Sequence, residues 1–387
     1  MTKELAFEVT EFRERVQAVQ EQLHAKGMDA LLVHTPENIY YLSGHHTPGY
    51  YAYQCLVVPS VGEPTLVTRT GEDANAFACS WLSSTATYDD GDDPADATLR
   101  YLSEYDLRND AIVGCELKSW FLTSEVYLSL RERAKAFVLV AGDGIVESLR
   151  VIKSPAEIRY IRSAVTIAEA GMAAAITSVK EGKTDNDLAA DIHHAMISAG
   201  GEYPSMGPFV AVGRRSGIMH GIWGRHVIKR GDAITFEIGG VFQRYNGALM
   251  RTVSVGKPDV ELIARADAAQ AANLAVIEHI HPGAMTADIH RAAARTLEDH
   301  GFGGARKGRR CGYSMGIAFA PDWGEGHIAS IIDTPNIRLR PGMVFHLPLT
   351  LRDYRKGVGA GSSETVLVTE SDKDVLTSFD RRLFVVE

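Results

Sequence analysis

The sequence predicts a small α/β domain over residues 1–150. A duplicated α+β domain over residues 151–387 follows, whose helices lie outside a curved antiparallel sheet. Three observations predict it. Helix-like and strand-like patterns alternate through the first 150 residues, a strongly capped helix opens at Ser154, and the rest of the chain carries an internal repeat. A chain of 387 residues is also too long for one ordinary core.

In the first domain "FRERVQAVQEQLHAKGM" reads as an amphipathic helix and "DALLVH" as a buried strand. Strands follow at "YQCLVVPS" and "PTLVTRT". "DANAFACSWL" and "DATLRYLSEY" read as helices, "AIVGCEL" as a strand, "SEVYLSLRERA" as a helix and "FVLVAG" as a last strand. The second domain opens at "IKSPAEIRYIRSA". Ser154 suits the N-cap, Pro155 the first helical position, and Glu157 completes a capping box. Ile158, Ile161 and Val165 then share one helix face.

The repeat pairs "GKTDNDLAADIHHAMISAG" (182–200) with "GAMTADIHRAAARTLEDHG" (283–301). Downstream, "RGDAITFEIG" pairs with "RPGMVFHLPL" and "RTVSV" with "ETVLV". Each half thus reads as helices followed by antiparallel strands, with a site expected in the concavity between halves. Glu237 and Pro348 take equivalent positions under this repeat.

Composition narrows the function classes. Charged residues make up 23% and hydrophobic residues 45%, an ordinary globular balance, and the net charge is −9. No basic run stands out, which argues against nucleic acid, and the acidity mildly favours cationic ligands. Four scattered cysteines, Cys55, Cys79, Cys115 and Cys311, read as reduced thiols, so a cytoplasmic setting is expected. The polar start "MTKELAFEVTEFRERVQ" does not read as a signal peptide. No apolar run approaches the roughly 18 residues of a membrane span.

Taken together, "IKSPAEIRYIRSA", "RGDAITFEIGG", "RYNGALMRT", "CGYSMGIAF", "LRPGMVFHLP" and "ETVLVTE" resemble the pita-bread family of methionine aminopeptidase, aminopeptidase P, prolidase and creatinase. The resemblance covers nearly the whole chain and implies a creatinase-type N-terminal domain before a pita-bread catalytic domain. Metallopeptidases of that family hold two metal ions with two Asp, one His and two Glu. Carried over one by one, those positions fall on Glu237, Ala248, Tyr313, Pro348 and Ser363. A two-metal site needs carboxylates to balance about four positive charges. The resemblance therefore implies no metal and no cofactor here. Two branches dispense with metal, creatinase and ectoine hydrolase. "RRCGYSMGIAFAPDWGEGHI", "MVFHLP" and "FEIGG" resemble the ectoine hydrolase branch, while "GHHTPGYYAYQC" lacks the tryptophan expected there.

An amidinium carbon is already electrophilic, so a cup holding one carboxylate and neutral groups suits a cationic or zwitterionic solute better than two divalent ions would. The expected catalytic residues are Glu237, His220 in "GIMHGIW" and Tyr313. Glu237 attacks carbon or binds the cation; its bland alternative is a salt bridge to Arg251 or Arg244. Tyr313 donates to the leaving nitrogen or is a packed core residue. His226 reads as a surface residue.

The expected substrate-binding residues are Tyr50, Tyr51, Asp322, Trp323, Glu325, His346 and Glu364. His346 shares a strand face with Pro348. Trp323 suits a cationic ring, and Asp322 equally suits an Asx turn. Glu364 stands one residue past Ser363, turned to the other face. Tyr50 and Tyr51, with Tyr53, form an aromatic lid or an ordinary strand entry. Cys311 reads as a small buried filler. The resemblance further implies a homodimer in which the neighbouring subunit's N-terminal domain caps the pocket. The main expectation is a metal-independent C–N hydrolase of a small solute. The rivals are a creatinase-type amidinohydrolase, a Xaa-Pro dipeptidase and a non-catalytic pita-bread binding protein.

Overall fold

The computed structural model describes residues 3–305 and 308–387, in two compact units, Met1–Arg150 and Val151–Glu387. In the first unit the strands are β1 (Ala30–Val33), β2 (Cys55–Pro59), β3 (Thr65–Arg69), β4 (Thr85–Tyr88), β5 (Ala111–Cys115) and β6 (Phe137–Ala141). The helices are α1 (Val9–Lys26), α2 (Pro36–Ser43), α3 (Asp73–Cys79), α4 (Pro94–Leu102), α5 (Ser124–Arg133) and α6 (Ile145–Arg150). The sheet runs β4-β3-β2-β1-β5-β6, with β2 antiparallel to both neighbours and the other pairs parallel. α2 has no amphipathic stripe to read in the sequence, because all of its residues except Glu37 are buried. β4 and α6 are too short to carry a pattern.

The second unit opens as its sequence predicts. Ser154 Oγ accepts from Glu157 N, the Glu157 carboxylate accepts from Ser154 N, and Pro155 starts α7 (Pro155–Ser178). Ile161 and Val165 are buried; Ile158 is half-buried. Then come α8 (Asp185–Ser198), β7 (Phe209–Val212), β8 (Ala233–Phe242) and β9 (Tyr245–Val255). The second half follows: α9 (Val260–Glu278), α10 (Thr286–Asp299), β10 (Gly312–Ser314), β11 (Ser330–Ile331), β12 (Val344–His346), β13 (Leu349–Asp353), β14 (Val358–Ser362), β15 (Thr365–Val368), β16 (Lys373–Val375) and β17 (Phe384–Val386). α7 lies directly on the β8–β9 hairpin. A Cβ on Gly240 would come 2.1 Å from Ala164 O, and one on Gly247 2.5 Å from the Val165 side chain, so only glycine permits this packing.

The repeat is structural. α8 and α10 each span 14 residues. Gly231 (φ 89°) and Gly342 (φ 85°) both adopt the left-handed region. That pair fixes the register of β8 and β12 and makes Glu237 the counterpart of Pro348. Each half has its own core, one between α7, α8 and β7–β9, the other between α9, α10 and the later strands.

The halves meet on a pseudo-two-fold axis where counterparts bond each other reciprocally. Met250 and Ser363 form an isolated bridge. Thr252 Oγ1 accepts from Gly361 N (2.9 Å) and donates to Gly361 O (3.0 Å). Its counterpart Thr365 does the same with Ala248, at 3.0 and 2.8 Å.

Within this duplicated fold the strands hydrogen-bond in two sheets, β17-β9-β8-β7 and β11-β10-β12-β15-β16, beside the β13-β14 hairpin. β17 adds in parallel to β9, covering an edge that the duplication alone leaves open. No helix among the described residues is long and apolar enough to cross a membrane.

Candidate functional site

β8 alternates strictly. Phe236 and Ile238 enter the core, while Thr235, Glu237 and Gly239 face the other way. Glu237 stands opposite Phe209 on β7 and Met250 on β9. It is 9% exposed, and no hydrogen bond or ion pair engages its carboxylate among the described residues. Burial pushes its pKa up to about 7, against the opposing pull of the Arg352 charge. The bland alternative fails on geometry. Arg251 pairs with Glu364 at 2.9 Å, and Arg244 is held by Tyr203 O, Ser205 Oγ and Ala318 O at 2.9–3.0 Å.

Aromatic rings line the strand face that carries Glu237. Trp323 packs on Gly239, where a Cβ would come 2.7 Å from the indole. Phe209 meets the Trp323 ring edge at 5.3 Å and stacks on His220 at 5.2 Å. Trp323 Nε1 donates to Tyr313 Oη (2.8 Å), which hydrogen-bonds His346 Nδ1 (2.9 Å), and His346 Nε2 bonds Ser363 Oγ (2.7 Å). Burial, with the Arg310 charge, pushes His346 down to about 3, so it is neutral. Burial and the Glu237 charge push the Tyr313 hydroxyl well above its ordinary range. Tyr313 is therefore neither a simple core tyrosine nor a free acid. With Nε2–H donating to Ser363, His346 Nδ1 accepts a hydrogen bond from the Tyr313 hydroxyl. With the other tautomer, that hydroxyl hydrogen points elsewhere.

The structure thus places Glu237, Tyr313, Trp323 and His346 in one cluster, with His220 joined to it through Phe209. It removes others. Glu325 is a buried ion-pair partner of Lys153 (2.7 Å), also bonded to Ser314 (3.1 Å), so its charge is already matched by a cation beside it. Asp322 Oδ1 accepts from Trp323 N and Gly324 N, an Asx turn that aims the indole. Glu364 takes Arg251 (2.9 Å), Arg381 (2.8 Å) and Thr377, and so belongs to a buried ion cluster.

In the first unit Tyr50 meets Phe121 edge to face at 5.3 Å, and Tyr51 is 79% exposed. Tyr53 is no lid residue: its hydroxyl bonds Thr98 (2.8 Å) and its ring packs on that unit's core. His226 is not a plain surface residue either, since Nδ1 bonds the buried Asp185 carboxylate at 2.6 Å. Cys311 is buried filler, as read.

Sequence reasoning missed four residues: Phe209, Arg310 over the Tyr313 ring (4.4 Å), Ser363 as the end of the hydrogen-bond chain, and Arg352. Only Ser363 had a signal, its place at a former ligand position.

Residues 159–370 match the metallopeptidase family M24, and residues 15–152 match the creatinase/prolidase N-terminal domain. The chain belongs to this family. It is 31% identical to "Ectoine hydrolase" of Halomonas elongata, over 98% of each chain. It is 25% identical to "Xaa-Pro dipeptidase" of Pyrococcus horikoshii, over 96% of this chain and 98% of that one. The solved prolidase from Pyrococcus horikoshii OT3 superimposes with a TM-score of 0.83 at 25% identity, covering 96% of this chain and 99% of that one. The two-unit order and the pita-bread fold are those of the family.

The family implies a metal centre, and the donor set here does not fit one. Glu237, Ala248, Tyr313, Pro348 and Ser363 offer a single carboxylate. Among the described residues no group of three or more His, Cys, Asp or Glu comes together as a metal site. Both nitrogens of the nearby His346 are engaged.

Proposed function

We propose that this family member is a metal-independent hydrolase of an amidine or amide C–N bond in a small zwitterionic or cationic solute, ectoine or a close relative of it. The observation that carries the reading is Glu237, a buried carboxylate with no hydrogen-bond partner among the described residues, on a strand face lined by aromatic side chains. Leaving such a group unpaired is costly, and an amidinium would relieve that cost with charge-assisted hydrogen bonds and ring contacts. The full-length similarity to an ectoine hydrolase supports the same reading.

The bound amidinium lies with one nitrogen on Glu237 and its face toward Trp323. In one route His220 takes a proton from water, the hydroxyl adds to the amidinium carbon, the C–N bond breaks, and the proton passes to the leaving nitrogen. In the other, Glu237 attacks that carbon, the C–N bond breaks as the leaving nitrogen takes a proton from solvent, and a His220-activated water then opens the resulting ester-like acyl adduct. The Tyr313–His346–Ser363 chain, bonded to the same indole, orients the Tyr313 hydroxyl.

The test is incubation of the purified protein with ectoine after exhaustive chelator treatment, read by proton NMR. Ring opening that survives chelation and finds less than one transition-metal ion per chain is expected. A second reading, a Xaa-Pro dipeptidase, is favoured by the prolidase relatives. Hydrolysis of a Xaa-Pro dipeptide on adding manganese, with ectoine, creatine and acetylated diamino acids untouched, would establish it instead. We also propose a homodimer in which each N-terminal domain caps the partner's site. Light scattering that finds an active 42.2 kDa monomer would end that proposal.

A further inference from the structure

Nothing in His220's own contacts fixes it. It is exposed, sits at φ 53°, makes no hydrogen bond among the described residues, and touches Phe209 through its ring face alone. A non-glycine residue in the left-handed region persists only where its surroundings impose it. The surroundings here are the β13–β14 hairpin, which grips the preceding turn, Gly213–Gly217, from several sides. Gly359 N donates to Ser216 Oγ at 3.1 Å. A Cβ on Gly359 would lie 2.1 Å from Ser216 O, and one on Gly217 2.4 Å from Asp353 O, so the two backbones are in direct contact. Arg214 Nη2 donates back to Arg355 O at 3.3 Å.

The centre of this grip is Arg352. Its Nη1 donates to Ser216 O (2.9 Å), Ile218 O (3.0 Å) and Thr235 Oγ1 (3.2 Å). The first two acceptors belong to the segment leading into His220. The third lies on the same face of β8 as Glu237, two residues away. One guanidinium nitrogen therefore ties the loop to the strand.

We infer that Arg352 is a positioning residue: it fastens the loop bearing His220 to the strand bearing Glu237, and so sets where the imidazole stands relative to the carboxylate. The inference rests on the reading that His220 and Glu237 act on one substrate. Arg352 itself touches no reacting atom in this scheme. A lysine would reach some but not all of the three acceptors, because its ammonium ends one bond short of the position of Nη1.

The experiment uses full-length Arg352→Met, Arg352→Lys and Gly359→Ala. Gly359→Ala pushes the turn away while keeping the guanidinium. Amide hydrogen exchange over residues 213–222 is expected to speed up in Arg352→Met and Gly359→Ala, and less so in Arg352→Lys. With ectoine as substrate, kcat falls about 10- to 100-fold in the first two with KM changed by no more than about threefold, and Arg352→Lys recovers part of the loss. Unchanged exchange in Arg352→Met, or faster exchange with wild-type kcat, overturns the inference. If Arg352→Met does not fold, Gly359→Ala carries both readouts. If the wild type leaves ectoine untouched while exchange responds as expected, the fastening stands and the substrate assignment is what failed.

Discussion

Glu237 and Glu364 are both buried carboxylates in the second unit, and their surroundings are opposite. Glu364, at the pseudo-two-fold axis, faces Arg251 and Arg381 and takes a hydrogen bond from Thr377. Glu237, on the wall of the first half, shares its strand face with aromatic rings and has no hydrogen-bond or ion-pair partner among the described residues. Burial raises both pKa values, but at Glu364 two guanidinium charges oppose the rise, and at Glu237 only the more distant Arg352 does. The difference teaches where to look for function. Each half of the duplication builds sheets and helices, and the axis is closed by reciprocal bonds and one ion cluster. A carboxylate that the fold leaves unmatched is one that an incoming ligand can match.

The sharpest way to break this comparison is Glu237→Gln. Turnover is expected to fall by about 10³-fold or more if Glu237 is the nucleophile, with KM little changed and no ester adduct by mass spectrometry. A loss confined to KM would reduce Glu237 to a cation-binding group. His220→Ala comes next: a kcat loss of about 10²- to 10⁴-fold is expected, and near wild-type turnover would remove His220 from the mechanism.

At Glu364 the effect should move from activity to stability. Glu364→Gln or Arg251→Met leaves a buried charge unmatched and is expected to cost about 3 kcal/mol or more in urea unfolding, while the folded fraction keeps turning over. A stable but inactive Glu364→Gln variant would show that the contrast has been drawn in the wrong place.

The smallest effect concerns the protonation of Glu237. Its folded pKa, about 7, lies above its ordinary value of 4.5, so the folded state binds this proton more tightly. Stability from Glu237 is therefore full below pH 4.5 and is lost as pH rises through 7. Glu237→Gln, which cannot ionise, should be more stable than wild type by about 1–3 kcal/mol at pH 8 and nearly equal at pH 4. The same ionisation should place the acid limb of wild-type activity near pH 7. A limb near pH 4.5 would mean that substrate or solvent already matches the carboxylate.

The sequence by itself determined the elements that local rules govern. The capping box at Ser154–Glu157 and the glycines that mark the repeat are short-range statements, and the structure has each of them. The losses at former ligand positions were equally legible, because they depend on residue identity alone. Tertiary structure decided what charge and exposure each candidate has. "PDWGEGH" presents two carboxylates and an indole with equal standing, and only packing sends Glu325 to Lys153, Asp322 to its own backbone and Trp323 to Gly239. Arg352 lies in "LRDYRKG" among other cations and bonds residues more than a hundred positions away. The physical reason is the same in each case. Hydrogen bonds and ion pairs form between groups that the fold brings within about 3 Å, and a chain's local pattern carries no record of which distant groups those are.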